Sequence, residues 1–183
     1  SISVHGWRIS SCGLKECIER AVKESGWEEK RQQQLVGSLR RGIGMACCVH
    51  KSGAKRHPAY EGSSALVRVD GTGSATVLCG EVEIGQGART VWAQIAAETL
   101  GIPLEKIWVM PFDTDYSPYG VGTFASRVTT LAGKAVLMAS EDALRQIKDV
   151  AAGMLNVRQE QIELIKGLFR VKDNPESVIS FEE

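Results

Sequence analysis

Fold class follows most directly from residues 65–112, which read ALVRVDGTGSATVLCGEVEIGQGARTVWAQIAAETLGIPLEKIWVMPF. Residues 65–69 and 74–79 are short runs rich in β-branched side chains. Between them, residues 70–73 read DGTG, the residue types that form tight turns between antiparallel strands. This part of the sequence therefore predicts a β-hairpin.

The pattern then changes from alternation to helical spacing. Apolar side chains recur along one face of residues 88–100, which predicts a helix. Gly101 is suited to ending that helix, and Pro103 prevents its continuation. Residues 107–112 predict a strand that runs back. The order of these elements predicts an α+β fold, with helices packed on a mixed sheet.

The same build occurs a second time. A longer helix is predicted over residues 128–155, and LNVRQEQI at residues 155–162 corresponds to LGIPLEKI at residues 100–107. In each copy a residue that tolerates positive φ, Gly101 or Asn156, ends a helix before a strand begins. Two helix-then-strand units plus the hairpin are therefore predicted.

The second unit is expected to extend the sheet. Glu163 stands where the first unit has Trp108, which predicts that the second strand lies nearer an edge or is more solvated. After a turn at Gly167, residues 168–171 are expected to continue the same sheet. The long helix should point its apolar positions inward, namely Val128, Leu131, Ala132, Ala135, Ala139, Ala143 and Ile147.

The N-terminal part has a different pattern. An apolar stripe that includes Cys17 predicts a helix ended by Gly26, with Cys17 in the core. Residues 27–35 predict a second, polar helix. Residues 42–49, GIGMACCV, are typical of a strand buried on both faces.

Composition limits the possible function classes. Lys and Arg together number 22, as do Asp and Glu, so no charge bias points to nucleic acid or a membrane surface. Five scattered cysteines argue against a disulfide framework and for a reducing, cytoplasmic compartment. We divide the chain into an N-terminal helical segment, residues 1–40, and a domain fragment, residues 41–183.

The last four residues carry a local signal. Ser180 and Glu183 have the S-x-x-E spacing of a capping box, which opens helices. The chain also begins without a methionine. Both observations predict an excerpt of a longer polypeptide.

Two glycine-bearing segments could carry chemistry. Residues 83–90, EIGQGART, join a predicted strand to a helix, where free N–H groups attract anions. They are either a phosphate cradle, with the N–H groups of Gly87 and Ala88 free, or a plain tight turn. Residues 119–127, YGVGTFASR, also lead into a helix, and there the alternative is that Ser126 or Thr123 simply caps it.

Other candidate sites are better explained by structure. Asp113 and Asp115 lack a third acidic or histidine partner and are typical of a turn. The histidines at positions 5, 50 and 57 form no spacing typical of a zinc site or a catalytic triad.

The two glycine segments carry a family resemblance. GEVEIGQGARTVWAQIAAETLGIPLEKI, followed by DTDYSPYGVGTFASRVTTLAGKAV, resembles the molybdenum-binding subunits of xanthine dehydrogenases, aldehyde oxidoreductases and 4-hydroxybenzoyl-CoA reductases. The similarity is strong from Arg41 to Ala143 and weak towards both ends. In that family the GQG and the (T/S)-x-A-S segments bind the pyranopterin cofactor.

The resemblance implies a set of cofactor-binding residues and no catalytic or metal-ligating residue within the chain. Arg89 and Arg127 would meet phosphate, which favours the cytosine dinucleotide form of molybdopterin, with molybdenum. The family's general base, a glutamate beyond the second segment, is not found here, and neither Glu81 nor Glu83 takes its role. The implied residues are Gly85, Gln86, Gly87, Arg89, Thr90, Thr123, Ala125, Ser126, Arg127 and Thr129.

The resemblance also implies a larger assembly. The parent would be a molybdenum hydroxylase acting on an aldehyde, an N-heterocycle or an aromatic thioester, with iron–sulfur clusters and FAD on other domains or subunits. The fragment alone is expected to be inactive. The alternative is a stand-alone nucleotide- or phosphate-binding module. Because the helix of residues 88–100 runs out and the next strand returns, Gln86 and Ser126 are expected within about 20 Å of each other.

Overall fold

The computed structural model describes residues 2–3, 6, 8–33, 37–38, 40–48, 50 and 62–183. The chain forms two compact units, Ser1–Val49 and His50–Glu183. A compact unit need not coincide with a domain, so the boundary placed after residue 40 stays a prediction. Among the described residues, no helix combines the length and apolar character needed to cross a bilayer.

Two helices lie in the described part of the first unit. Helix α1 spans Leu14–Ser25, and Gly26 ends it in the left-handed conformation, with φ 64°, as predicted. Helix α2 spans Trp27–Gln32 and is shorter than predicted, although Leu35 lies outside the described residues. The positive φ at Gly26 is the feature that allows one helix to follow the other directly.

Two predictions for the first unit are wrong. Residues 42–48 contain no strand, and all of them except Ile43 are exposed, while Val49 lies outside the described residues. Cys17 is exposed rather than part of a core, and no residue of α1 is buried. An apolar run becomes a buried strand only when another strand pairs with it, and none of the described strands pairs with residues 42–48.

The second unit begins with the predicted hairpin. Strand β1, Ala65–Val69, pairs antiparallel with β2, Ala75–Cys79. Strand β3, Ile107–Val109, pairs parallel with β2 and gives a mixed sheet of order β1-β2-β3. The strand was predicted to reach residue 112, but Pro111 has no N–H to donate, so regular pairing stops before it.

One face of this sheet is covered by two helices. Helix α3 spans Ala88–Leu100, as predicted. Helix α4 spans Gly133–Met154 and follows a π-helical turn, Val128–Ala132. The resulting core of the sheet and helices is formed by Val77, Cys79, Ala88, Trp92, Ala93, Ala96, Val109, Val128, Ala132 and Val136.

The π-helical turn changes which face of α4 is buried. A continuous α-helix would have placed Ala135 and Ala139 inward, but both are only half-buried. Val136 and Ser140 are fully buried instead. A π turn adds one residue to a helical turn and therefore rotates the remaining helix relative to the α-helical pattern.

The internal repetition is confirmed in backbone detail. Gly101 and Asn156 have φ of 68° and 53°. The Ile102 N–H donates to the Ala97 carbonyl at 3.2 Å, and the corresponding Val157 N–H donates to Ala152 at 3.0 Å. In each copy a 3₁₀ turn, Leu104–Lys106 or Gln159–Gln161, then leads into a strand.

The second strand unit does not extend the first sheet. Strands β4, Ile162–Ile165, β5, Leu168–Val171, and β6, Asn174–Ser180, form a separate antiparallel sheet. The contrast between Trp108 and Glu163 is also opposite to the prediction, since Trp108 is 60% exposed and Glu163 is half-buried. Both residues lie on edge strands, because the repeated units build two sheets of three strands rather than one.

After β6 the chain turns at residues 181–182. The Glu183 carboxylate accepts the Ser180 N–H at 2.9 Å, which is one of the two hydrogen bonds of a capping box. Within the described residues no helix follows this turn.

Substituting Gly153 with alanine is expected to stabilise the second unit by about 0.5–1 kcal/mol. Gly153 lies in α4 and is exposed, and a Cβ there would meet no atom within 4 Å. Alanine restricts the unfolded chain and suits the helix. Urea unfolding measures the gain. Gly133→Ala is the control on the same helix, because its Cβ would lie 3.1 Å from Ile95 Cδ1, and an equal gain there would contradict the explanation.

Candidate cofactor-binding site

The two glycine segments begin side by side because two glycines cross at backbone contact. A Cβ at Gly80 would lie 2.4 Å from the Tyr119 carbonyl oxygen, and one at Gly120 would lie 2.1 Å from the Gly80 oxygen. Hydrogen bonds from Ser64 N–H to Tyr119 and from Gly80 N–H to Ser64, both 3.0 Å, hold the crossing. Only glycine allows this approach at either position.

A buried ion pair then joins the two segments. The side chains of Arg127 and Glu81 are 1% and 0% exposed, and the guanidinium donates to the carboxylate. The other carboxylate oxygen accepts the Gly122 N–H at 2.9 Å. Arg127 also donates to the Gly122 carbonyl at 2.9 Å and to that of Gly62, and its guanidinium lies 5.5 Å from the Phe124 ring centroid.

This arrangement corrects the interpretation of Arg127 as a phosphate contact. Its guanidinium is enclosed and engaged by Glu81, so it cannot meet a ligand in the cavity without breaking the pair. Glu81 was not predicted to have this structural role. One signal was available, since Glu81 shortly precedes the first glycine segment and Arg127, of opposite charge, ends the second.

Thr123 adds a third connection between the segments. Its hydroxyl donates to the Val82 carbonyl at 2.6 Å and accepts the Val82 N–H at 3.1 Å. Both functions of the hydroxyl are therefore used within the protein, and Thr123 fixes the loops relative to each other.

Glu83 fills the place at the start of α3 that we predicted to be open. Its carboxylate accepts the N–H groups of Gly85 at 2.7 Å, Gly87 at 3.0 Å and Arg89 at 3.2 Å. The prediction of free N–H groups at the helix start is therefore wrong. The protein satisfies them with its own anion, and the helix begins at Ala88 behind Gly87, with φ 80°.

Gln86 is held by its own loop. Its side-chain oxygen accepts the Ile84 N–H at 2.7 Å, and its amide nitrogen donates to the Val82 carbonyl at 3.3 Å. Arg89 likewise points to protein, because its guanidinium donates to the Val109 carbonyl at 2.6 Å. The expected phosphate contact of Arg89 is therefore not supported by its position. Thr90 is exposed on the first turn of α3.

The second segment contains a strained turn. Ala125 and Ser126 have φ of 54° and 59°, a left-handed conformation that costs roughly 1–2 kcal/mol for a non-glycine residue. Ala125 is 1% exposed, whereas Ser126 and Thr129 are exposed. Their two hydroxyl groups make no hydrogen bond to any described side chain or backbone group. Thr130 donates to the Ser126 carbonyl at 3.3 Å.

Both segments line one surface cavity of about 500 Å³. This confirms that Gln86 and Ser126 lie on the same side of the unit. The wall contains four hydroxyl groups and one carboxamide, and no acidic residue among the described lining residues. It is formed by His50, Ile84, Gln86, Thr123, Phe124, Ser126, Val128, Thr129 and Thr130.

The cavity includes only part of the predicted set. Gln86, Thr123, Ser126 and Thr129 line it. Five lining residues were not predicted. Four of them are sequence neighbours of predicted residues, namely Ile84, Phe124, Val128 and Thr130, whereas no sequence pattern indicated His50. The predicted residues that do not line it are Gly85, Gly87, Arg89, Thr90, Ala125 and Arg127. Among the described residues, no cluster of three or more His, Cys, Asp or Glu side chains could hold a metal ion.

The GQG loop is expected to lose its order as pH falls below about 4.5. Desolvation alone would raise the pKa of Glu83. Hydrogen bonds from four backbone N–H groups outweigh this effect and hold the pKa below its ordinary value of 4.5. The four groups are those of Arg89, Gly87, Gly85 and Ala88. A lowered folded-state pKa gives stabilisation that is complete above the ordinary pKa and lost as pH falls through the folded one.

Amide hydrogen exchange of Gly85, Gly87 and Arg89, corrected for intrinsic rates, measures this loss. In Glu83→Gln the protection of these amides should not depend on pH over the same range. If wild type and variant respond identically, the carboxylate does not hold the loop.

The chain matches the model of a known domain family and is similar to known proteins. Residues 20–183 match the model of a molybdopterin cofactor-binding domain. The chain is 39% identical over 175 residues to a putative xanthine dehydrogenase molybdenum-binding subunit of Escherichia coli, covering 93% of the chain and 23% of that protein. It is 32% identical to the carbon monoxide dehydrogenase large chain of Afipia carboxidovorans, covering 97% and 24%.

Solved structures give the same assignment. A Cu,Mo-CO dehydrogenase matches with a TM-score of 0.66 and 35% identity, over 73% of this chain and 17% of that one. Quinoline 2-oxidoreductase of Pseudomonas putida matches with a TM-score of 0.61 and 32% identity, over 66% and 15%. The chain spans about a quarter of the length of the curated relatives it matches. The alternative of a stand-alone phosphate-binding module is not supported, and the chain belongs to the molybdopterin cofactor-binding domain family of xanthine dehydrogenase- and CO dehydrogenase-type molybdenum hydroxylases.

Proposed function

We propose that this chain forms one wall of the molybdopterin site of a molybdenum-dependent oxidoreductase. The observation that carries the proposal is that both family segments line a single cavity in which the Ser126 and Thr129 hydroxyls have no hydrogen-bond partner among the described residues. Its volume, about 500 Å³, is within the usual range for cofactor sites. Binding and orientation of the cofactor are the roles that this wall supports.

The chemistry of the wall fits a pterin with an anionic tail. Hydroxyl and amide groups can donate to phosphate and pterin oxygens, and no acidic side chain among the described lining residues would repel an anion. Ile84 and Phe124 supply apolar surface beside them. When bound, the cofactor supplies the redox chemistry at molybdenum.

We assign no proton transfer to this wall. Glu81 is paired with Arg127, and Glu83 accepts N–H groups of its own loop, so neither carboxylate is directed to a substrate. Gly85, Gly87, Arg89, Thr90, Ala125 and Arg127 are proposed to act through loop geometry rather than by side-chain contact with the cofactor. Gln86, Thr123, Ser126 and Thr129 are proposed as the lining set. The chain alone is expected to show no turnover.

For the rest of the assembly we propose the composition that the family resemblance implies. The remainder of a molybdenum subunit would complete the site, and iron–sulfur and FAD domains or subunits would carry electrons away. The relatives are named as subunits or large chains, which supports a multi-subunit arrangement. We also propose the cytosine dinucleotide form of the cofactor. Among the described residues all five cysteines are free thiols, which favours a cytoplasmic location.

The double variant Ser126→Ala/Thr129→Val is expected to weaken cofactor retention by about tenfold, since two hydrogen bonds of about 0.5–1.5 kcal/mol each are lost. Molybdenum and pterin per chain, measured after purification and dialysis, report retention. The control is Thr114→Val, an exposed threonine outside the cavity and outside both glycine segments, which should retain the wild-type content. Equal losses in both variants, or none in the double variant, would exclude the proposed wall.

A further inference from the structure

One carboxylate next to the site is used by neither the proposed cofactor contacts nor an ion pair. Glu83 is half-buried, and it is not one of the residues lining the cavity. Three of the backbone N–H groups that it accepts belong to alternate residues of the loop, Gly85, Gly87 and Arg89. A single side chain therefore constrains the turn that leads from the start of the first segment into α3.

The two residues of this loop that line the cavity, Ile84 and Gln86, stand next to these contacts. Gln86 lies between two glycines of positive φ, 100° at Gly85 and 80° at Gly87, and both neighbours donate to Glu83. Ile84 also lines the cavity, and its N–H is accepted by Gln86. Glycines with positive φ have wide conformational freedom, so the loop depends on these hydrogen bonds for a single geometry.

The negative charge of Glu83 strengthens its interactions with the loop and with α3. The carboxylate stands at the N-terminal end of a helix of 13 residues, where negative charge is favoured. Hydrogen bonds from N–H groups to a carboxylate are stronger than those to a neutral acceptor. A glutamine at this position would keep one acceptor oxygen, and an alanine would keep none.

We propose that Glu83 is a positioning residue that presents Gln86 and Ile84 to the molybdopterin cofactor by ordering the loop between them and α3. The inference rests on the proposed function, because it assigns the cofactor to the cavity that this loop lines. It adds a residue that acts through others, without itself contacting the cofactor.

The test compares Glu83→Gln and Glu83→Ala with wild type in the full chain, expressed in cells that make molybdopterin. Amide exchange at Gly85, Gly87 and Arg89 should accelerate by about tenfold or more in Glu83→Ala, because hydrogen bonds to a charged acceptor are lost, and less in Glu83→Gln. The rate of pterin release, followed by fluorescence, should rise in the same order, by about tenfold for Glu83→Ala, as for other residues that orient a binding group.

The thermal midpoint separates positioning from general stability, and it should stay close to that of wild type in both variants. Glu98→Gln is the matched control, since Glu98 is an exposed carboxylate on α3, outside the cavity. Faster loop exchange with unchanged pterin release would overturn the positioning role. If pterin release accelerates only as much as the thermal midpoint falls, the effect is one of general stability, and the positioning role is also overturned. If the wild-type chain itself holds no pterin, the proposed function fails. If wild type and Glu83→Ala retain pterin equally, only the positioning role of Glu83 fails.

Discussion

Replacing Arg127 with methionine is expected to lower the free energy of unfolding by about 3–5 kcal/mol, because the Glu81 carboxylate would stay buried without its cation. The two side chains are almost completely enclosed. The guanidinium also satisfies the carbonyls of Gly122 and Gly62, which would lose their donor. Urea unfolding followed by circular dichroism measures the loss.

Two further variants make this measurement decisive. Arg145→Met removes an ion pair with Asp142 whose side chains are 60% and 56% exposed, so it should cost less than about 1 kcal/mol. Adding Glu81→Gln to Arg127→Met should recover part of the loss, because the unpaired charge is removed. A loss for Arg127→Met no larger than that for Arg145→Met would show that the pair is not buried in solution.

Gly120→Ala is expected to lower the free energy of unfolding by about 3 kcal/mol or more. This loss is at or above the upper end of the range for substitutions that overpack a core. The new Cβ would overlap the Gly80 carbonyl, which is backbone and cannot rotate away as a side chain can. The crossing between the two glycine segments would have to separate. Both the melting temperature and cofactor retention should therefore fall.

Gly71→Ala is the matched control for Gly120→Ala. Gly71 lies in the hairpin turn without a positive φ, and a Cβ there would meet no atom within 4 Å. Its substitution should change stability by no more than about 0.5 kcal/mol. If the two variants prove equally stable, the close backbone crossing does not exist in solution.

Both variants act on the connection between loops that lie far apart in the sequence. The Glu81 and Arg127 positions are separated by 46 residues, and the glycine crossing begins one residue before Glu81. Breaking either connection should release pterin together with a loss of stability. The Ser126→Ala/Thr129→Val variant should release pterin at unchanged stability, so the two classes of effect can be distinguished in one set of measurements.

Local patterns in the sequence determined the hairpin, the main helices and the family of the second unit. The hairpin turn at residues 70–73 and the helix Ala88–Leu100 follow from turn chemistry and apolar spacing over a few residues. The helix ends at Gly101 and Asn156 follow from the residues that tolerate positive φ. The shared cavity was also predictable, because the helix of residues 88–100 runs out and the following segment returns, which brings the two glycine segments back together.

Only the tertiary structure decided what the charged residues do and which apolar segments are buried. A sequence shows that Glu81, Glu83 and Arg127 are charged, but the cost of burying a charge makes their roles depend on partners brought close by folding. Pairing between strands also explains the exposure of residues 42–48 and the division into two sheets. A strand is buried only where a partner strand pairs with it, and the sequence does not show which strands pair. The periodicity of apolar residues predicts the conformation of a single helix or strand. Burial and ion pairing depend on contacts between elements that are distant in the sequence.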